Sequence, residues 1–132
     1  MHDVPRFLSP EWMEEASAAA ATSPELAEAG AGVRLVVQQV VTGGPAGDVR
    51  YVVSLGDGEA RLRAGDAADA DVTFTTDWET AVAVATGSSS AQDAFTSGRL
   101  RVRGDVTALL RHGRAFDGLH AVFAGLRERT TY

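Results

Sequence analysis

The sequence predicts an α+β fold: a five-stranded, mostly antiparallel sheet with helices covering one face. Three observations carry that reading. Five segments are rich in β-branched residues or alternate apolar and polar residues, and turn signals separate them. Helix-opening signals precede apolar periodic stretches on either side of these segments. Finally, two of the segments carry arginine on one side only: Arg61 and Arg63, with Glu59, alternate with Ala60 and Leu62, and Arg99, Arg101 and Arg103 alternate with Leu100 and Val102. Successive side chains of a strand point to opposite faces, so one sheet face is charged and the other is apolar and covered.

Taken in chain order, Ser9, Pro10 and Glu11 supply a cap, a first-turn proline and an early acid, which predicts a helix through WMEEASAAAA with Trp12, Ala16 and Ala19 on its buried side. Ser23 and Pro24 repeat the opening for a short second helix or turn that stops at Gly30 and Gly32. Strands follow at VRLVVQQVVT (33–42), DVRYVVSLG and EARLRA, joined by the GGPAGD loop and an Asp57-Gly58 turn into an antiparallel meander. ADVTFTTD is the fourth strand. Thr76 and Glu79 then have the spacing of a capping box opening the helix DWETAVAVATG. Ser90 caps a short helix in SSSAQDAFTSG, RLRVR is the fifth strand, and Asp105 is placed to cap DVTALLRHG. The last helix, AFDGLHAVFAGLRER, carries Phe116, Leu119, Phe123 and Leu126 as a stripe that faces a core.

At 132 residues the chain suits one domain, residues 1–132, able to bury roughly two-thirds of the surface of its unfolded form. Residues 1–32 form its N-terminal helical segment and 33–132 the sheet with its covering helices. Without cysteine there are no disulfides, thiolate metal sites or cysteine nucleophiles. All 12 basic residues are arginine, so Schiff-base lysines and the phosphate-binding P-loop are excluded too. A net charge of −6 repels phosphate backbones, and no aromatics interleave with the arginines, which argues against nucleic acid. The start, MHDVPRF, has neither the basic nor the apolar region of a signal peptide, and no apolar run approaches the roughly 18 residues of a membrane span, so a soluble, cytoplasmic protein is expected.

Residues 70–111, ADVTFTTDWETAVAVATG through SSSAQDAFTSGRLRVRGDVTALLR, resemble the sterol carrier protein type 2 family. The resemblance rests on a strand ending in a polar cap, a helix closing at a glycine, Ala94-Phe95 before Ser97-Gly98, the basic-alternating strand with Leu100 and Val102, and Gly104-Asp105 before a helix. It implies a sterol-carrier-like fold: a five-stranded sheet, helices on one face, and an apolar tunnel between the layers for fatty acyl, sterol or similar ligands. The eukaryotic carriers often end in a peroxisomal tripeptide, whereas this chain ends Thr130-Thr131-Tyr132.

On that reading the ligand-binding wall is built from Phe74, Trp78, Val82, Phe95, Leu100, Leu109, Phe116, Leu119 and Phe123, with His120 at its edge. Singly, each fits a filled core; together with the resemblance they describe a cavity. Asp117 lies three residues before His120, and such a pair can orient a head group or move a proton, although a histidine beside a core is the commoner case. His112 is placed to stabilise the end of its helix, and His2 lies in the terminus. Ser88, Ser89 and Ser90 lack a nucleophile elbow, and Asp66, Asp69 and Asp71 lack the spacing of a calcium loop, so no catalytic residue, metal site or cofactor is expected. The function expected is a carrier of a hydrophobic small molecule. Two alternatives stand beside it: an enzyme recruited onto the same pocket, using His120 with Asp117, and an interaction domain whose arginine face docks an acidic protein or anionic membrane.

Overall fold

The computed structural model describes residues 5–29, 31, 32, 34–45, 47–56, 59–127 and 130–132, and among them all side chains but those of Glu25, Ala29, Glu59 and Leu109. The expected stop at Gly30, the Asp57-Gly58 turn and His2 lie outside the described residues. Local signals set the helix starts. Ser9 caps α1 (Pro10–Thr22), its hydroxyl accepting the Trp12 N–H at 3.2 Å, and Ser23 opens α2 (Pro24–Ala29) by accepting from Leu26 N–H at 3.2 Å. Four strands follow the N-terminal helices: β1 (Leu35–Gly44), β2 (Gly47–Gly56), β3 (Glu59–Ala64) and β4 (Val72–Asp77). Then come α3 (Trp78–Thr86), α4 (Ala91–Thr96), β5 (Leu100–Gly104), α5 (Val106–Arg111) and α6 (Gly113–Gly125). Among the described residues no helix is long and apolar enough to cross a membrane.

The cap of α3 differs from the expected Thr76–Glu79 box. Asp77 is the cap, accepting the Thr80 N–H at 2.7 Å, while the Thr76 hydroxyl is engaged elsewhere and donates to the Arg99 carbonyl at 3.0 Å. Ser90 caps α4 and Asp105 caps α5 as expected, accepting from Asp93 N–H at 3.0 Å and Ala108 N–H at 3.3 Å. α6 begins at Gly113, two residues before the expected Ala115.

Two of these caps make stability depend on acid. The hydroxyl and N–H of Thr80, helped by Arg99, hold the Asp77 carboxyl below its ordinary value of 3.8. At Asp105 the Thr107 hydroxyl does most, with Ala108 N–H and Arg111 adding to it against some desolvation. A carboxyl whose native pKa is depressed contributes stability in full above its unfolded value and loses it as pH falls through the native one. The expected result is an acid limb below about pH 3.8 that Asp77→Asn combined with Asp105→Asn, which keep a capping oxygen, makes shallower. Thermal melts across that range check it; an unchanged limb in the double variant would place the acid sensitivity elsewhere.

The sheet order is β3-β2-β1-β4-β5, antiparallel except for the parallel β1–β4 pair at its centre. Register puts Leu35, Val37, Gln39 and Val41 on the same face as Tyr51, Val53 and Leu55, as Ala60 and Leu62, and as Val72, Phe74, Leu100 and Val102. That face is the covered one. The arginines of β3 and β5 occupy the other, as their alternation requires. The centre of that second face is not wet, however. The segment 65–71 crosses it to join β3 to β4, and beneath it Gln38, 4% exposed, donates to the carbonyls of Tyr51 and Gly65 at 3.2 Å each and accepts the Ala67 N–H at 2.7 Å. Arg50 pairs with Asp66 at 2.5 Å and Arg63 donates to the Asp66 carbonyl at 3.3 Å. Part of the charged row therefore fastens the crossover.

Gly104 explains the Gly-Asp pair singled out in the sequence. Its φ is +99°, and a Cβ there would press into the Asp71 carbonyl, which accepts the Asp105 N–H at 2.8 Å. Only glycine lets β5 end so close to the start of β4 and leave Asp105 free to cap α5.

α1 packs over β3, and α3 over β1 and β4, whereas α6 packs on α1, α2, α3 and α5. Its contact with α2 is close: a Cβ at Gly118 would lie 3.0 Å from Leu26 Cδ1 and 3.4 Å from its Cα. Held by helices, α6 stands off the sheet, and the space beneath it is the functional candidate.

Candidate functional site

A cavity of about 300 Å³ lies between the sheet and α3, α4 and α6. Its floor is sheet: Val37, Gln39 and Val41 of β1, Tyr51 and Val53 of β2, Phe74 and Thr76 of β4, and Leu100 of β5. Small residues form one side, with Thr80, Ala81, Val84 and Ala85 from α3 and Ala91 and Ala94 from α4. The roof is the stripe of α6, Phe116, Leu119 and Phe123. Phe116 reaches down to Phe74, ring centroids 6.0 Å apart and close to perpendicular, an edge-to-face arrangement that props roof from floor. Phe7 closes one end by packing on Trp12 and Trp78, at 5.1 and 5.5 Å.

Charge is confined to the mouth. Asp117, His120 and Ala91 are exposed lining residues, so the cavity opens between α4 and α6. Arg127, also lining, donates from Nε to the Ala85 carbonyl at 2.6 Å and so satisfies an end carbonyl of α3. Deep in the floor, burial alone pushes the Tyr51 phenol far above its ordinary value, so it stays neutral and protonated. Among the described residues no group of His, Asp and Glu is placed to hold a metal ion. His120 and Asp117 make no hydrogen bond to each other among these residues.

Six of the ten residues singled out from the sequence line the cavity: Phe74, Leu100, Phe116, Leu119, His120 and Phe123. Trp78 is instead turned onto Phe7 and over Gly44, where a Cβ would lie 3.0 Å from its ring. Val82 lies on the flank of α3 next to the lining face, half-buried against the core. Phe95 is 52% exposed, because the short α4 turns its neighbour Ala94 inward, fully buried, in its place. The Leu109 side chain is outside the described residues. The sequence reading missed Gln39 and Tyr51. Strand parity could have found them: Gln39 shares the face of Val37 and Val41, and Tyr51 that of Val53, so each is a polar group at a covered position.

A second, open groove of about 620 Å³ runs between α1 and β3 and carries Glu14, Arg61 and Arg63 among its lining residues. It is a solvent-facing depression, separate from the layer between sheet and helices.

The model of the SCP-2 sterol transfer family matches residues 14–117. No curated protein sequence matches the chain. Among solved structures, the conserved hypothetical protein TT1886 of Thermus thermophilus superposes with a TM-score of 0.77 at 20% identity, covering 95% of this chain and 92% of its own. A crystal structure of sterol carrier protein 2 gives 0.75 at 21% identity, covering 90% and 98%. Palmitated SCP2L2 from Aedes aegypti gives 0.57 at 22% identity, covering 84% and 90%. The match runs from within α1 through the whole of α5 and into α6, well beyond the stretch 70–111, and the chain belongs to the SCP-2 sterol transfer family, a family of lipid-binding and lipid-transfer proteins.

Proposed function

We propose that the chain binds a hydrophobic small molecule of lipid class, fatty acyl or sterol-like, in the cavity between sheet and helices and carries it, shielded from water, to an enzyme or membrane. The observation that carries this reading is an apolar space held open by Phe74 and Phe116 at the place where a compact core would be filled. At about 300 Å³ it is near the lower end of small-molecule sites and about ten times the ~30 Å³ share of one liquid water. About ten methylenes at ~0.8 kcal/mol each give ~8 kcal/mol gross, equivalent to micromolar affinity before the cost of association. A single acyl chain suits that volume as it stands; a sterol body requires α6 to move further from the sheet.

The test is titration with a fluorescent fatty acid at low and high salt. Saturable, roughly micromolar uptake that salt leaves unchanged is expected, since apolar burial is not screened. Absence of uptake, or uptake abolished by salt, would contradict the carrier reading. The enzyme alternative draws little support from His120 and Asp117, which sit exposed at the mouth without a bond between them. The interaction alternative loses part of its footing because Arg50 and Arg63 are engaged with Asp66.

A further inference from the structure

Gln39 and Tyr51 are direct cross-strand partners on the covered face of the sheet, and both line the cavity. Directly opposed residues of an antiparallel pair hold their Cβ atoms about 5 Å apart, so the two polar ends share one patch of floor. Among the described residues neither side chain makes a hydrogen bond; the Gln39 group that accepts from Gln38 is its backbone carbonyl. The contrast with Gln38 is direct, since one residue away, on the opposite face, the same amide is fully engaged with Tyr51, Gly65 and Ala67. Nor is the Tyr51 hydroxyl an oxygen sealed in protein. Among the described residues that description fits Glu15 Oε2, whereas Tyr51, 6% exposed, keeps its remnant of accessible surface on the cavity wall.

Buried polar groups are almost always hydrogen-bonded, and leaving one unpaired costs about 1–3 kcal/mol. Tyr51 is buried and Gln39 half-buried, side by side on the floor of an apolar cavity, so the partner of each comes from the occupant. An amide offers both donor and acceptor, and a phenol offers both. No cation lines this floor, and the acidic and basic lining residues, Asp117, His120 and Arg127, belong to α6 or follow it. A carboxylate on the floor would be a buried charge without a counter-charge, which is strongly unfavourable.

We propose that Gln39 and Tyr51 form a polar subsite that takes an uncharged oxygen function, hydroxyl or carbonyl, of an otherwise hydrocarbon ligand. The subsite rests on the cavity being a ligand site, and deepens that reading into a choice of ligand chemistry: fatty alcohols, ketones and related neutral amphiphiles are held by the floor, and plain hydrocarbons are not.

The test compares 1-decanol and decane as competitors of a bound fluorescent fatty acid, in the wild type, Tyr51→Phe and Gln39→Leu. Each substitution is expected to weaken decanol about tenfold, the effect of losing one buried hydrogen bond, and to leave decane unchanged or tighter. Equal effects on both competitors, or none on either, would overturn the subsite while leaving the cavity reading intact. A wild type that takes up neither competitor nor probe would overturn both. A second readout needs no ligand: the melting temperature of unliganded Tyr51→Phe is expected to be unchanged or higher. A fall of several degrees would show that the hydroxyl has a partner within the fold, and would overturn the proposal.

Discussion

Replacing Trp12 by alanine is expected to cost about 4 kcal/mol of folding stability, the usual loss for a large aromatic in a packed core. Trp12 is 1% exposed, its ring stands edge-on to Phe7 at 5.1 Å and lies 5.5 Å from Phe123, and its indole N–H donates to Thr130 Oγ1 at 3.0 Å. Around it the two ends of the chain are joined. Phe7 N–H donates to the Thr131 carbonyl at 2.8 Å, and Thr131 N–H to that of Pro5 at 2.9 Å. Because Phe7 and Phe123 are also cavity residues, the variant should lose lipid uptake along with stability. Trp12→Phe keeps most of the packing and gives up the bond to Thr130, so it should lose only about 1–2 kcal/mol. Denaturant melts of the two variants check this, and a loss below about 1 kcal/mol for Trp12→Ala would show that the aromatic cluster is not a keystone of the fold.

Filling the cavity from its side should separate binding from folding. Ala81 lines the space from α3, so Ala81→Phe puts a ring where the ligand is expected. Uptake of a fluorescent fatty acid should fall at least about tenfold, while the melting temperature holds or rises as empty volume is replaced by contacts. Unchanged uptake in a folded Ala81→Phe variant would move the ligand out of this cavity, with the groove between α1 and β3 the next place to look.

What the sequence made legible follows from what local chemistry decides. Strand parity set the arginines of β3 and β5 against Ala60, Leu62, Leu100 and Val102, and the register places them so. Hydroxyl and carboxylate caps at Ser9, Ser90 and Asp105 opened helices where expected. The covering of the second face by the 65–71 crossover was not legible, since it depends on β4 pairing parallel with β1, a long-range choice. Gln38 carried a hint, as an amide in the middle of an apolar strand.

At the cavity, the stripe of α6 was read correctly from its helical spacing, because one helix face can be followed residue by residue. Short helices gave less warning. In α4 a rotation of one residue decides whether Phe95 or Ala94 turns inward, and hydrophobicity favours the wrong one. The volume itself was beyond periodicity, which reports that a residue faces inward and not whether anything meets it. Gln39 and Tyr51 were within reach of parity, yet each reads as an ordinary strand residue until the cavity beside it is known.

The most direct measurement is mass spectrometry of the purified protein under native and then denaturing conditions, with an organic extract of the same sample analysed for lipids. A discrete added mass under native conditions, lost on denaturation and recovered in the extract as a mostly hydrocarbon compound, is the result expected of a lipid-class carrier. Bare protein in both spectra, confirmed by failure to take up any of a panel of fluorescent fatty acids and sterols, would contradict it and turn attention to the arginine-bearing face.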